Sequence, residues 1–423
     1  MTSVRSRRLQ LSGNKWILFL AIGLLLWACS PKTAPVTKVP TKADDKTATK
    51  KNDKNPVENA KPVRKASGRV STVALILPLG LDHLNPGGKY SSAGLKKASL
   101  ALDYYRGFKL ALDSLTADGA NFRILLHDSK DEVAQSRALA LNPQIRTSDL
   151  VVGPVFPDGM KAFTAVPNPA KKLIVSPLSP SAPSTYNDAR LVTIIPPLEY
   201  HAWRAAEFVN DKAVTKKVFI LTSGYSDEKV YIAHFKKAID SLSKKRIKVI
   251  PYTVSRGNLQ PLKQQLTKFD KNIFVIPSTQ QNFLKLTLYS LDTLSRQYPI
   301  ILFGHPNWEK YTFLKAEQMQ RLNTHITSSD NVSYKSVSTA TFIRSYRKAY
   351  RAEPSDYAIK AFDEGLFFGQ ILADNPDKLK KLDDYDFTGL HNSFKFVFKP
   401  GQGWINTHVD VLKYANFELK KVE

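Results

Sequence analysis

Cysteine is almost absent: Cys29 is the single thiol in 423 residues. One thiol makes no intrachain disulfide, so stability has to come from a packed core. Long apolar runs are missing too. The run from Trp16 to Ala28 stops at 13 residues, short of the roughly 20 that a bilayer-crossing helix needs. There is no Gly-x-Ser-x-Gly, no His-Glu-x-x-His, no Walker loop and no Gly-x-Gly-x-x-Gly, and the eight histidines do not cluster at metal-ligand intervals. These gaps remove the motif-borne hydrolases, metalloproteases, nucleotide-phosphate and dinucleotide binders. Asp363-Glu364 and Asp383-Asp384 are adjacent carboxylates, which on a helix point in different directions rather than at one bond. Neither a catalytic residue nor a cofactor or metal is indicated.

What is present at the start has the form of an export signal. Arg5, Arg7, Arg8 and Lys15 precede the apolar run, giving a positive n-region and an h-region over residues 1–28. The run ends in Leu26-Trp27-Ala28-Cys29, which resembles the lipobox of bacterial lipoproteins. That resemblance implies diacylglycerol on Cys29, removal of residues 1–28 and a membrane anchor. Residues 29–70 then contain almost no large apolar side chain and cannot offset their ordering entropy, so they are expected to form a disordered basic tether. About 40 residues of such coil reach roughly 35 Å.

The formal charge of +25 suggests nucleic acid until it is divided along the chain. The signal holds four basic and no acidic residues, the tether eleven basic and four acidic, and +14 is left for the body. There the basic residues are scattered as short pairs and runs such as Lys216-Lys217 and Lys244-Lys245-Arg246. Without aromatic interleaving or a recognisable module, solvated faces are expected and nucleic acid is not. An anionic glycan or lipid headgroup is a compatible neighbour for an exported basic protein.

From Ser71 the chain alternates short β-rich runs with amphipathic stretches. Val73-Ala-Leu-Ile-Leu-Pro-Leu79 reads as a buried strand, and Leu100, Tyr104, Phe108, Ala111 and Leu115 form one stripe of a helix over about 97–115. Strands follow at 122–127, 149–152, 172–175 and 190–195, with helices between them. After Pro196-Pro197 the alternation restarts, with strands at 217–222, 247–251, 272–276 and 299–303 and helices at 200–210, 230–242, 259–269 and 283–294. Residues 336–372 read as helical, and 394–398 and 408–414 as strands. Continuous apolar strands separated by helices predict an α/β protein of two lobes, each a parallel sheet covered on both faces. The first lobe is expected over 71–196 plus about 331–372, the second over 197–330 plus about 373–423.

Several strings in order now resemble one family. Val73–Leu79, Tyr105-Arg-Gly-Phe-Lys-Leu-Ala-Leu-Asp113, His127-Asp128, Val151-Val-Gly-Pro154, Ile174-Val-Ser-Pro177 and Tyr357-Ala-Ile-Lys-Ala-Phe-Asp-Glu-Gly365 are similar to the type I periplasmic solute-binding proteins of the leucine/isoleucine/valine-binding group. The resemblance covers Ser71 to the C-terminus and implies two Rossmann-like lobes joined by three crossovers, closing on a small ligand.

Ligands of open parallel sheets sit beyond the carboxyl ends of the strands, which directs attention to loops 79–80, 154–159, 176–181, 223–227, 278–280 and 304–307. The candidate ligand-binding residues are Phe156, Ser176, Ser179, Ser181, Ser223, Tyr225, Ser278, His305 and Asp363. The resemblance implies carboxylate contacts for Ser176, Ser179 and Ser181, while their proline-rich setting equally suits capping and turns. It implies that Tyr225 covers the ligand, as against packing on its own lobe. Asp363 matches the Asp of a Tyr-Asp-Ala pattern, with Phe362 in place of the Tyr, as against buried hydrogen bonding. Phe156-Pro157-Asp158-Gly159 stands where amino-acid binders carry small hydroxyl residues, and Pro180 stands near their ligand-binding threonine, which argues against a free α-amino acid. Two functions follow. The first is a lipid-anchored, non-enzymatic binder of an amino acid or related solute, working with an ABC permease from the periplasmic face of a membrane. The second is a ligand-independent interaction lipoprotein acting on a cell-wall synthase.

Overall fold

The computed structural model describes residues 69–81, 91–212 and 216–422. The expected export signal, the lipidated Cys29, the tether up to residue 68 and most of the lengthened first loop lie outside them.

The first lobe begins with β1 (Ser71–Leu77), β2 (Phe122–Asp128), β3 (Leu150–Val152), β4 (Ile174–Ser176) and β5 (Leu191–Thr193), interleaved with helices α1 (Ser92–Ala117), α2 (Val133–Leu141), α3 (Pro143–Thr147) and α4 (Pro157–Thr164). The second repeats the plan with α5 (Leu198–Lys212), β6 (Lys217–Thr222), α6 (Lys229–Leu242), β7 (Lys248–Thr253), β8 (Asn272–Ile276), α7 (Gln281–Ser295), β9 (Ile300–Gly304), α8 (Ala316–Arg321) and β10 (Thr324–Ser328). The chain returns through α9 (Val337–Tyr350) and α10 (Asp356–Asp374), then adds β11 (Phe387–Thr388), β12 (Ser393–Phe394), β13 (Phe396–Lys399), β14 (Gly403–Asn406), β15 (Asp410–Ala415) and β16 (Glu418–Lys421).

Each lobe has a seven-stranded sheet, ordered β13-β14-β5-β4-β3-β1-β2 in the first and β16-β15-β10-β9-β8-β6-β7 in the second. The five native strands of each lobe thus share the 2-1-3-4-5 doubly wound order. The tail completes both sheets: β14 joins β5 in parallel with β13 antiparallel outside it, whereas β15 joins β10 antiparallel. This corrects the expected boundary, because residues 396–406 pair with the first lobe and only 410–421 with the second. The physical reason is that each five-stranded sheet leaves an open edge beside β5 or β10, and the tail covers one after the other.

Apolar cores lie on both faces of each sheet. In the first lobe Tyr104, Phe108 and Leu115 of α1, as the helical stripe predicts, and Leu112 beside them meet Phe367, Phe368 and Ile371 of α10 over β1 and β3. The two helices touch closely because Gly107 has no Cβ; one there would lie 2.0 Å from the carbonyl oxygen of Ala358.

Three local expectations change. The helical stretch at 336–372 is broken between α9 and α10, where Arg351 caps the first with φ 54° and Pro354 withholds an N–H from any continuing helix. The expected helix at 259–269 is only a 3-10 turn over Gln260–Gln265. Beyond it the Asn272 amide donates to the carbonyls of Thr267 and Asp270 and accepts from the Thr267 N–H, local bonds that compete with helix formation. Strand β10, Thr-His-Ile-Thr-Ser, is fully buried but too polar to be found from an apolar run. No described helix is long and apolar enough to cross a membrane.

Candidate functional site

Parallel strands put their carboxyl ends on one edge of each sheet, and all six singled-out loops begin there. Phe156 follows β3; Ser176 is the buried last residue of β4, and Ser179 and Ser181 follow it; Ser223 and Tyr225 follow β6; Ser278 follows β8 and His305 follows β9. Asp363 alone sits elsewhere, in the middle of α10.

In the first lobe Phe156 is half-buried against the core, with Lys97 Nζ 5.5 Å from its ring centroid. Lys97 also pairs with Asp131 at 2.5 Å. Pro157 occupies the first position of α4 and Asp158 lies within its first turn, where a negative charge complements the helix dipole. Ser179 and Ser181 bind each other: their hydroxyls are 2.8 Å apart and the Ser181 N–H donates to Ser179 Oγ at 3.2 Å. The serine turn is therefore formed. Asp128 closes the other side, accepting from the backbone N–H groups of Leu79, Gly80, Leu81 and Lys130 at 2.8–3.1 Å.

The second lobe ties its strand ends with its own side chains. Glu228 is buried, accepts from the Ser223 N–H at 3.0 and 3.1 Å and takes a short hydrogen bond from the Ser223 hydroxyl. Trp308 Nε1 donates to the Ser278 carbonyl at 2.9 Å, and the Gln280 N–H donates to the Ser278 hydroxyl at 3.3 Å. Asp227 accepts from Thr279 and Gln280. Tyr225 is 61% exposed, so it projects from the loop and does not pack on its own lobe.

Beneath these loops His305 stands in a cluster whose other members, His201 and Tyr231, the sequence does not announce. His305 Nδ1 accepts from the Asn307 N–H at 3.1 Å, and its ring lies 6.3 Å from that of Tyr231. His201, on the first turns of α5, holds Thr327 of β10 at 3.1 Å. Burial lowers the pKa of His305 to about 4, against the opposing pull of Asp227. Burial and then repulsion from His305 lower that of His201 to about 3. Both rings are neutral at pH 7, each offering one donor and one acceptor. The buried Tyr231 hydroxyl has no partner among the described residues, and burial raises its pKa.

The chain passes between lobes three times, at 194–197, 329–336 and 407–409. Asn406, wholly buried, ties the first and third crossings, donating to the Ile194 carbonyl at 3.1 Å and accepting from His408 N–H at 3.1 Å and Lys395 N–H at 2.9 Å. At the second, Lys360 of α10 pairs with Asp330. Lys360 also attracts Glu364 in the first lobe and Glu309 in the second, two carboxyls whose pKa values are raised, chiefly by burial. Asp363 serves the same region. Its carboxylate accepts from Leu390 N–H at 2.8 Å, His391 N–H at 2.9 Å and His391 Nδ1 at 2.5 Å, and the His391 carbonyl in turn accepts from the Asn331 N–H of the second crossing. A side chain at Gly389 would lie 2.3 Å from Asp363 Oδ2, so that glycine is what lets the loop close on the carboxylate. Of its two expected roles, Asp363 fills buried hydrogen bonding.

Sequence reasoning missed His201, Tyr231, Glu228, Asn406 and Lys360. Only Glu228 had a usable signal, an acid at the start of a helix just after a strand-end serine. Among the described residues no group of three or more His, Cys, Asp or Glu side chains is placed to hold a metal.

The sequence matches no protein-family model and no curated protein. Solved structures match its shape. A Rhodospirillum rubrum protein assigned to branched-chain amino acid ABC transport superposes with a TM-score of 0.59 at 14% identity, covering 84% of this chain and all of that one. An ABC transporter substrate-binding protein from Desulfitobacterium hafniense gives 0.55 at 15% identity, and its complex with Leu gives 0.53 at 15%, each with the same coverage. With its paired 2-1-3-4-5 sheets and three crossings, the chain has the type I periplasmic binding-protein fold.

Proposed function

We propose that this protein is an extracytoplasmic, non-enzymatic solute-binding lipoprotein, anchored through Cys29 and capturing a small polar ligand between its lobes for an ABC-type permease. The observation that carries it is the pair of strand-end edges joined by three crossings that Asn406 and Asp363 organise as a hinge. Such a hinge lets two rigid lobes close without repacking either core. The likeness in fold to substrate-binding proteins supports the reading, and one of them was solved with Leu.

Tyr225 projects from the second lobe, Phe156 borders the first, and the half-buried Ser181 supplies a hydroxyl beside the buried Ser176 and Ser179. Neutral His201 and His305 lie under the opposite edge. A ligand rich in uncharged donors and acceptors suits that lining better than a free amino acid does. Among the described residues the hydroxyls of Ser179 and Ser181 bond to each other rather than to an arginine or lysine, and Pro180 stands between them.

The ligand-independent reading, an interaction lipoprotein acting on a cell-wall synthase, draws on one observation: Ser223, Ser278 and Asp363 already spend their polar atoms within the protein. A thermal-shift screen across amino acids, peptides, sugars and muropeptides separates the two. Saturable stabilisation by one class, weakened by Tyr225→Ala, is the expected result. A flat response across the panel contradicts solute binding and favours the interaction role.

A further inference from the structure

The end of the second lobe opposite the strand-end edge carries a feature that solute binding does not use. The amino ends of β6, β7 and β8 meet there around a hollow of about 800 Å³ lined by Lys216, Lys217, Arg246, Lys271 and the acids Asp211 and Asp270. The turn from α6 to β7 adds exposed Lys244 and Lys245, and Lys248 opens β7. At the rim the sequence Lys268-Phe269-Asp270-Lys271 is entirely exposed, and Phe269 is 96% exposed.

A nearly naked phenylalanine is costly in water and is usually withdrawn unless something else receives it. The backbone that carries it is fixed. The buried Asn272 amide clips the turn through Thr267 and Asp270, and Thr267 Oγ1 accepts from the N–H groups of Phe269 and Asp270 at 3.2 and 3.4 Å. The aromatic ring is exposed on a fixed turn, between Lys268 and Asp270-Lys271, at the rim of the basic hollow. A soluble polyanion satisfies the charges and leaves the ring in water. A bilayer interface with anionic headgroups satisfies both, because aromatic side chains partition to the headgroup level while basic ones stay among the phosphates.

We propose that this basic pole is a docking surface for an anionic lipid membrane, with Phe269 inserted at the headgroup level and Lys244, Lys245, Lys268 and Lys271 on the phosphates. Docking through the amino ends of the strands leaves the opposite, strand-end edge clear of lipid. The site is independent of the lipid on Cys29 and of what the lobes bind.

The described residues make one compact unit that holds the cores of both lobes, and the unlipidated chain 62–423 that contains it is the material for the test. Flotation with phosphatidylcholine vesicles, with and without phosphatidylglycerol, is compared with binding to soluble heparin. The unit should float only with the anionic vesicles. Phe269→Ser should weaken that partition about tenfold while leaving heparin binding unchanged. Lys244→Glu with Lys245→Glu should weaken both by tenfold or more. All variants should keep the parent melting temperature, since the altered side chains are exposed. Loss of vesicle binding in the lysine variant alone, with Phe269→Ser behaving as the parent, would make the pole a soluble-polyanion patch and overturn the proposal. Absence of flotation with anionic vesicles would overturn it as well.

Discussion

The two lobes share one strand order but secure their strand ends by different means. In the second lobe the ties all come from that lobe's own chain: Glu228 to Ser223, Asn307 to His305, Trp308 to Ser278, and Asp227 to Thr279 and Gln280. In the first lobe Asp128 and Ser179 tie the strand-end loops from within, but the crossings depend on the distant tail, where Asp363 grips residues 390–391 and Asn406 reaches Ile194 across 212 residues. The hinge is thus built on the side of the first lobe, from late chain. Losing one of the tail's ties should therefore disturb both stability and lobe motion, whereas losing a second-lobe tie should stay within that lobe.

The largest effect is expected from Asp363→Ala. It strands the buried His391 N–H and ring and the half-buried Leu390 N–H, and breaking a buried, hydrogen-bonded pair of this kind costs about 3–5 kcal/mol. Chemical denaturation would register the loss, and a change under about 1 kcal/mol would contradict the hinge role. Asn406→Ala should cost about 2–3 kcal/mol by leaving the first and third crossings unsatisfied. It should also alter ligand affinity, because it loosens both crossings at once.

Next comes a pH effect that belongs to the second lobe alone. His305 titrates near 4 in the folded chain, against 6.5 for a solvated histidine. Between those values the unfolded chain binds more protons, so stability is fully present above pH 6.5 and falls as the pH drops toward 4. The slope contributed approaches about 1.4 kcal/mol per pH unit. His305→Asn should flatten the pH profile by that increment over this window, and an unchanged profile would refute the burial of that ring. His201 acts with the same sign, whereas the raised carboxyls Glu364 and Glu309 act oppositely, so the difference between parent and variant is the quantity to measure. Smallest is Ser223→Ala, about 1 kcal/mol, with the first lobe's hydrogen-exchange protection left unchanged.

The same contrast explains what could be read from the sequence. Strands β6 and β8 stand at the positions their apolar runs mark, because a strand buried on both faces writes itself as a continuous apolar segment. Strand β10 does not, since its buried threonines, histidine and serine are placed by tertiary contacts such as His201 to Thr327. The loops at the strand ends followed from topology alone. Their chemistry did not: Ser223 and Asp363 were recognisable as polar residues in telling places, but whether each is free for a ligand depends on Glu228 folding back and on His391 arriving from the tail. The division of the tail was illegible for the same reason, as nothing in residues 373–423 states which open sheet edge each strand will meet.

The most direct test of a hinged two-lobe binder is small-angle X-ray scattering of the protein with and without the solute that stabilises it. Closure about the three crossings should shrink the radius of gyration on saturation, and Asn406→Ala should blunt that contraction. An unchanged scattering profile at saturating solute would contradict capture by closure.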